Sequence, residues 1–282
     1  MDFFIELLNV ILLGIVEGIT EWLPVSSTGH MILVEELLSL RLSEDFMEMF
    51  RVVVQLGAVM AVVVLYFRKL FPFTRDKSPA EVKSCFRLWG MILIACVPAA
   101  VIGVLLDDWL DAHLYNYVTV AVTLIVYGIA FILIEKRNKN RTAAIATVDE
   151  IDWKSALKIG AFQVLALIPG TSRSGSTILG GMLCGVSRPA GAEFSFFLAI
   201  PVMLGASFLK LLKFGFDFSM WEIIILAAGT FVAFITSLIA IRFLVSFVRR
   251  HSFAVFGYYR IVLGILVLGY FLVKNGVFAY FI

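Results

Sequence analysis

Charge is what this chain of 282 residues has least of. Asp, Glu, Lys and Arg together make up 16% of it, against 61% hydrophobic residues and a mean hydropathy of +0.98. That balance lies outside the range of soluble globular domains and reads as a polytopic membrane protein. The net charge of +2 is small, and the basic residues sit in short loops rather than in a stripe, which excludes a nucleic-acid partner. Cysteine is scarce as well. Cys85, Cys96 and Cys184 stand alone in or beside apolar stretches, so they read as small packing residues with no disulfide framework and no zinc site. The first residues, Met-Asp-Phe-Phe-Ile-Glu, lack the basic region and the small-residue cleavage site of a signal peptide, and no leader is expected to be removed.

What is abundant is apolar sequence of spanning length. A helix crossing ~30 Å of hydrocarbon needs ~20 mainly apolar residues. Six runs qualify, at roughly 46–67, 86–106, 117–135, 190–212, 221–244 and 253–273. Two further apolar regions are broken: 3–39 at Leu23-Pro24-Val25-Ser26-Ser27, and 153–186 at Pro169-Gly170-Thr171-Ser172-Arg173. Their second limbs, from Thr28 to about Ser39 and from Ser174 to about Val186, would reach only ~18 Å at 1.5 Å per residue. Each region reads as a re-entrant helix-loop-helix pair, its irregular backbone tolerated where protein or a wet cavity surrounds it.

The two broken regions also align with each other. Gly14 meets Gly160, Glu17 meets Gln163, Ser26 meets Ser172, Ser27 meets Arg173, Thr28 meets Ser174 and Gly29 meets Gly175. Each broken pair precedes three full spans, an odd number of crossings, so the second half is expected to be inverted relative to the first. The expected fold is therefore an all-α integral membrane protein, one membrane domain over 1–282. It has six transmembrane helices plus two re-entrant pairs in an inverted-topology repeat, with halves of about 1–141 and 142–282. Broken segments at matching positions of such a repeat point to a binding site near the midplane. Lys and Arg crowd 68–85, 136–154 and 245–252, while 107–116 carries Asp107, Asp108 and Asp111 and no basic residue, and 213–220 has only Lys213. This places both termini outside and lets the first break enter from the outer face and the second from the cytoplasm.

Ionisable groups are costly at bilayer depth, so their clustering marks function. Glu17 and Glu21, four apart, can present two carboxylates on one helical face to a hard cation, Mg²⁺ or Ca²⁺. Ser26, Ser27 and Thr28, with Ser172, Ser174, Ser176 and Thr177, stand at the starts of the two short limbs. There they cap the helix and, with Gly29 and Gly175, form N-terminal anion sites. Arg173 completes a cradle for a di-anionic or pyrophosphate group. His30, three residues after Ser27 and so on the same helical face, is the expected general acid or base. His113 and His251 fall in extramembrane loops. Gln55, Arg242 and Arg260 either line the cavity or act as interhelical glue.

Glu17-Gly-Ile-Thr-Glu21-Trp-Leu-Pro-Val-Ser-Ser-Thr-Gly-His30 and Pro169-Gly-Thr-Ser-Arg-Ser-Gly-Ser-Thr177 resemble the two signature motifs of the bacterial undecaprenyl-diphosphate phosphatase family, associated with bacitracin resistance. The resemblance extends over essentially the whole chain. It implies a multi-pass hydrolase of the bacterial inner membrane that takes a polyprenyl diphosphate to the monophosphate with a divalent cation, and it carries over Glu17, Glu21, Ser27, His30 and Arg173. The pattern of the other lipid-phosphatase family does not fit, because Leu179 stands where that pattern needs a histidine. In the resulting expectation His30 activates either Ser27, giving a phosphoserine, or a water, at a site open to the outer side. The rival reading is a secondary transporter or flippase of an anionic polyprenyl lipid, with the same groups coupling ions. The sequence leaves a homodimer open.

Overall fold

A computed structural model describes residues 2–38, 42–215 and 217–274. The chain runs α1 (Asp2–Thr20), α2 (Ser27–Leu37), α3 (Glu44–Val53), α4 (Gln55–Leu65), α5 (Phe67–Leu70), α6 (Pro79–Leu114), α7 (Tyr117–Asn138), α8 (Trp153–Val164), α9 (Arg173–Leu183), α10 (Arg188–Phe214), α11 (Met220–Val248) and α12 (Ala254–Lys274). Among the described residues there is no strand, and the one β-bridge, Ile145 with Val186, is isolated.

Local sequence explains where the long helices begin. Ser78 and Ser219 close capping boxes with Glu81 and Glu222, Asn116 caps α7, and proline fills the first turns of α6 and α10. Such caps satisfy backbone N–H groups that no intrahelical carbonyl can reach.

Among the described residues seven helical stretches are long and apolar enough to cross a membrane: the six expected ones and Phe3–Thr20. The seventh was expected as the first limb of a broken pair, and its 18 mainly apolar residues reach about 27 Å at the helical rise. By contrast α2, α8 and α9, of 11, 12 and 11 residues, are too short to span. Helix α6 continues to Leu114, so residues 107–114, including His113, are helix rather than loop. The limb expected to end near Ser39 stops at Leu37, and residue 39 lies outside the described residues.

Each broken pair packs on a long helix of the opposite half. Helix α1 lies along α11 and α8 lies along α6, while α10 packs on α3 and α4, and α7 on α12. In lipid no hydrophobic force drives helices together, and close packing through small residues replaces it. A Cβ on Gly18 would stand 1.9 Å from Thr236 Oγ1 and 2.6 Å from the Ala233 carbonyl. One on Gly160 would stand 2.3 Å from the Ala95 carbonyl. A Cβ on Gly14, the residue aligned with Gly160, would stand 2.8 Å from the Gly229 carbonyl, so the α1–α11 and α6–α8 contacts both depend on close glycines.

Candidate active site

Both breaks turn on a serine in the same unusual conformation. Ser26 and Ser172 each have φ of 73°, the only non-glycine residues with positive φ among those described. Left-handed backbone at a non-glycine residue costs about 1–3 kcal/mol and persists where its surroundings demand it. Here each serine caps the helix that follows: Ser26 Oγ accepts the Gly29 N–H at 3.2 Å and Ser172 Oγ accepts that of Gly175 at 3.1 Å. The short helices α2 and α9 are thereby aimed with their N-termini at the breaks.

Three sets of hydrogen bonds join the two breaks. Ser174 Oγ donates to the Glu21 carbonyl at 3.1 Å. Arg260, fully buried on α12, donates to the Pro24 carbonyl at 3.2 Å and to the Gly170 and Thr171 carbonyls at 2.9 and 3.0 Å. It is glue for the loops rather than a cavity-lining group. Third, Arg173 Nη2 donates to Glu21 Oε1 at 2.8 Å.

Around that ion pair the candidate residues assemble. Glu21, just past the end of α1 and buried, accepts Ser27 Oγ–H on its other oxygen at 3.0 Å. Arg173 Nη1 donates to the carbonyl and hydroxyl of Ser195 on α10, and the guanidinium lies 5.7 Å above the Trp22 ring. Glu17 is buried one turn before Glu21, within electrostatic reach of Glu21, Arg173 and Gln55. Its Oε1 has no hydrogen-bond partner among the described residues. Gln55 is held there by the interruption at Val54 that separates α3 from α4.

Thr28 and Gly29 complete the first turn of α2, and Gly175 sits at the same place on α9. Three groups take other positions than the sequence spacing suggests. Thr177 Oγ1 is buried behind Arg173, donating to its carbonyl at 2.9 Å and lying 2.8 Å from Ser195 Oγ, so it braces the cradle rather than facing an anion. Ser174 is likewise buried and spent on Glu21 and Leu23 carbonyls. His30 does not bond Ser27. Its Nδ1 lies 2.7 Å from the Ser26 carbonyl and its Nε2 lies 2.7 Å from Tyr259 Oη on α12. Sequence reasoning missed Tyr259 and Ser195, which carry no motif signal, and gave no role to Trp22, which stands inside the first motif.

As for a metal, no group of three or more His, Cys, Asp or Glu side chains among the described residues could hold one alone. The carboxylate pair with one orphaned buried oxygen fits Mg²⁺, which commonly binds one or two carboxylates together with substrate phosphates. Ca²⁺, which takes six to eight oxygens, fits this sparse donor set less well. Chemically, the arrangement offers a hydroxyl on a carboxylate, a guanidinium, two helix N-termini and an imidazole, the inventory of a phosphoryl-transfer site.

Comparison with known proteins agrees with this inventory. The family described as bacitracin resistance protein BacA matches residues 10–266. The undecaprenyl-diphosphatase of Acetivibrio thermocellus is 62% identical over 268 residues, covering 95% of this chain and 98% of the relative. That of Enterococcus faecalis is 60% identical over 272 residues, covering 95% and 99%, and that of Lachnoclostridium phytofermentans is 56% identical over 272 residues, covering 96% and 99%.

Proposed function

The chain belongs to the bacitracin resistance protein BacA family, and from that membership we propose that it is a membrane phosphatase converting undecaprenyl diphosphate to undecaprenyl phosphate and inorganic phosphate. It thereby recycles the lipid carrier of cell-wall synthesis. The relatives of 56–62% identity are all diphosphatases by name, which favours hydrolysis over transport without cleavage. The observation that carries the reading is the chain Ser27 Oγ, Glu21, Arg173, a nucleophile, a carboxylate and an anion-binding cation brought together from opposite halves.

The diphosphate enters between the N-termini of α2 and α9. There the backbone N–H groups of Ser27 and Thr28, which have no intrahelical acceptor by position, and the Arg173 donors bind its oxygens. Glu21 Oε2 takes the Ser27 proton as Oγ attacks the terminal phosphorus. The phosphorus–oxygen bridge breaks and the lipid monophosphate departs, leaving phosphoserine. Water then hydrolyses the phosphoserine. Glu17, with Glu21, would hold the Mg²⁺ that neutralises diphosphate charge when bound. His30, turned away from Ser27, serves the hydrolytic step rather than the first.

The polyprenyl tail lies in the bilayer beside the protein. A lateral apolar cavity of about 580 Å³ lined by Val53, Gly57, Met60, Phe231 and Phe234 suits it. The protein sits in the bacterial inner membrane with its site open to the outer side. Supporting this, a cavity of about 410 Å³ at the far end of α9 from Arg173 is lined by Arg137, Lys139, Arg141 and Arg249, basic residues of the kind that stay cytoplasmic.

The test is product analysis in detergent, where transport cannot be scored. Purified protein with undecaprenyl diphosphate is expected to yield equal amounts of undecaprenyl phosphate and inorganic phosphate. Substrate recovered intact would overturn the assignment.

A further inference from the structure

The hydrogen bonds of His30 fix its tautomer. A carbonyl oxygen only accepts, so the 2.7 Å contact with the Ser26 carbonyl requires Nδ1 to carry the proton. In the neutral ring Nε2 is then the lone-pair nitrogen, and what faces it, at 2.7 Å, is the hydroxyl of Tyr259. The phenol therefore donates to His30. The two rings lie parallel, 5° apart in plane with centroids 5.6 Å apart, which fixes this contact further. Tyr259 is 47% exposed, whereas His30 is half-buried. The Tyr259 hydroxyl is thus hydrogen-bonded to the basic nitrogen of His30 and offers it a path for a proton.

Among the described residues, the group hydrogen-bonded to Nε2 is Tyr259. Helix α2 packs on α1, α7 and α12. The charged group facing His30 is Arg260, a donor whose guanidinium is committed to the Pro24, Gly170 and Thr171 carbonyls and which offers no acceptor for a proton. Glu21, the carboxylate nearest in function, is committed to Ser27 and Arg173. The site thus holds two separate proton acceptors: Glu21 for the Ser27 hydroxyl, and His30 reached through Tyr259.

We infer that Tyr259 is a proton-relay residue acting through His30 in the second half of the reaction. The inference rests on the phosphatase reading with a phosphoserine intermediate. As a water oxygen bonds to the phosphorus of phosphoserine, the water proton passes to Tyr259 Oη while the Tyr259 proton passes to His30 Nε2. The Ser27 Oγ–phosphorus bond breaks, and Oγ recovers from Glu21 the proton given up in the first step. Inorganic phosphate leaves, and imidazolium returns its proton to solvent by the same route, so the phenol is neutral before and after. Positioned proton transfer of this kind contributes about 10²–10⁴-fold to a rate.

The experiment is acid-quenched turnover with substrate labelled in the terminal phosphate, in wild type, Tyr259→Phe and His30→Gln. Phenylalanine keeps the ring against His30 and removes only the hydroxyl. Tyr259→Phe is expected to release one equivalent of undecaprenyl phosphate per enzyme at the wild-type rate. It then accumulates phosphoprotein, with phosphate release slowed at least 10-fold and KM little changed. His30→Gln is expected to do the same, and the double variant no worse than either. A Tyr259→Phe enzyme with wild-type phosphate release, or one slowed without accumulating phosphoprotein, overturns the relay. Absence of phosphate release from the wild type instead overturns the reading beneath it.

Discussion

Arg173 Nη2 donates to Glu21 Oε1 across 2.8 Å, joining side chains 152 positions apart in the chain. The pair is nearly dry, with side-chain exposures of 10% and 6%. Its energetics follow from that burial. Removing one partner of a buried pair costs about 3–5 kcal/mol, because the other charge is left uncompensated.

Arg173→Ala should therefore lower both stability and activity. Adding Glu21→Gln removes the orphaned charge, so the double variant should recover part of the lost stability while phosphate release stays at least 100-fold down. Thermal unfolding in detergent alongside a phosphate assay measures both. A double variant no more stable than Arg173→Ala would mean the pair is not held as described.

The two left-handed serines make opposite demands on a replacement. Ser172→Ala loses the bond to the Gly175 N–H and keeps a Cβ at φ 73°, so it should cost about 1 kcal/mol or more. Ser172→Gly also loses the cap but relieves the backbone, and it should fall within a few tenths of a kcal/mol of wild type. The same order should hold at Ser26. Melting temperatures in which glycine is the worse of the two substitutions would contradict the conformational account.

Gly18 lies between the two carboxylates in sequence and against α11 in space. A methyl group there meets Thr236 and Ala233, and overpacking typically costs about 1–3 kcal/mol. Gly18→Ala should lower the melting temperature and also reduce turnover, since the shift of α1 carries Glu17 and Glu21 with it. Normal activity in a destabilised Gly18→Ala protein would separate the packing from the site.

The metal reading gives a further expectation. EDTA should abolish phosphate release and Mg²⁺ should restore it. Glu17→Gln should raise the Mg²⁺ concentration needed for half-maximal rate by 10-fold or more, with the melting temperature little changed, because Glu17 Oε1 has no protein partner among the described residues to lose. An unchanged Mg²⁺ requirement would remove Glu17 from the metal site.

Much of this architecture is legible in the sequence because lipid punishes polar groups. The two breaks, the carboxylates, the cap serines and Arg173 stand out against apolar surroundings, and α2 and α9 are short, as their lengths suggest. At α1 length does not decide between the two readings: the limb expected as half of a broken pair is also long and apolar enough to cross. Helical spacing misled at His30: three residues from Ser27 shares a face, but Ser27 turns to α1 and His30 to α12. Tyr259 and Ser195 were invisible because an aromatic or a serine in an apolar helix looks like packing until the fold brings a partner from far along the chain, and Trp22, though inside the first motif, gave no sign that it would lie under Arg173. Arg260 was legible as unusual, and only the carbonyls of both breaks around it give its role.

The most direct test of the central claim, that the two breaks form one hydrolytic site, is phosphate release from undecaprenyl diphosphate by Ser27→Ala, altered in the first break, and Arg173→Lys, altered only in the second. Lysine keeps the charge but loses the planar fork that reaches Glu21 and Ser195 together. Both variants should stay folded and lose at least 100-fold in rate. Wild-type phosphate release by a folded Arg173→Lys protein would contradict a shared site.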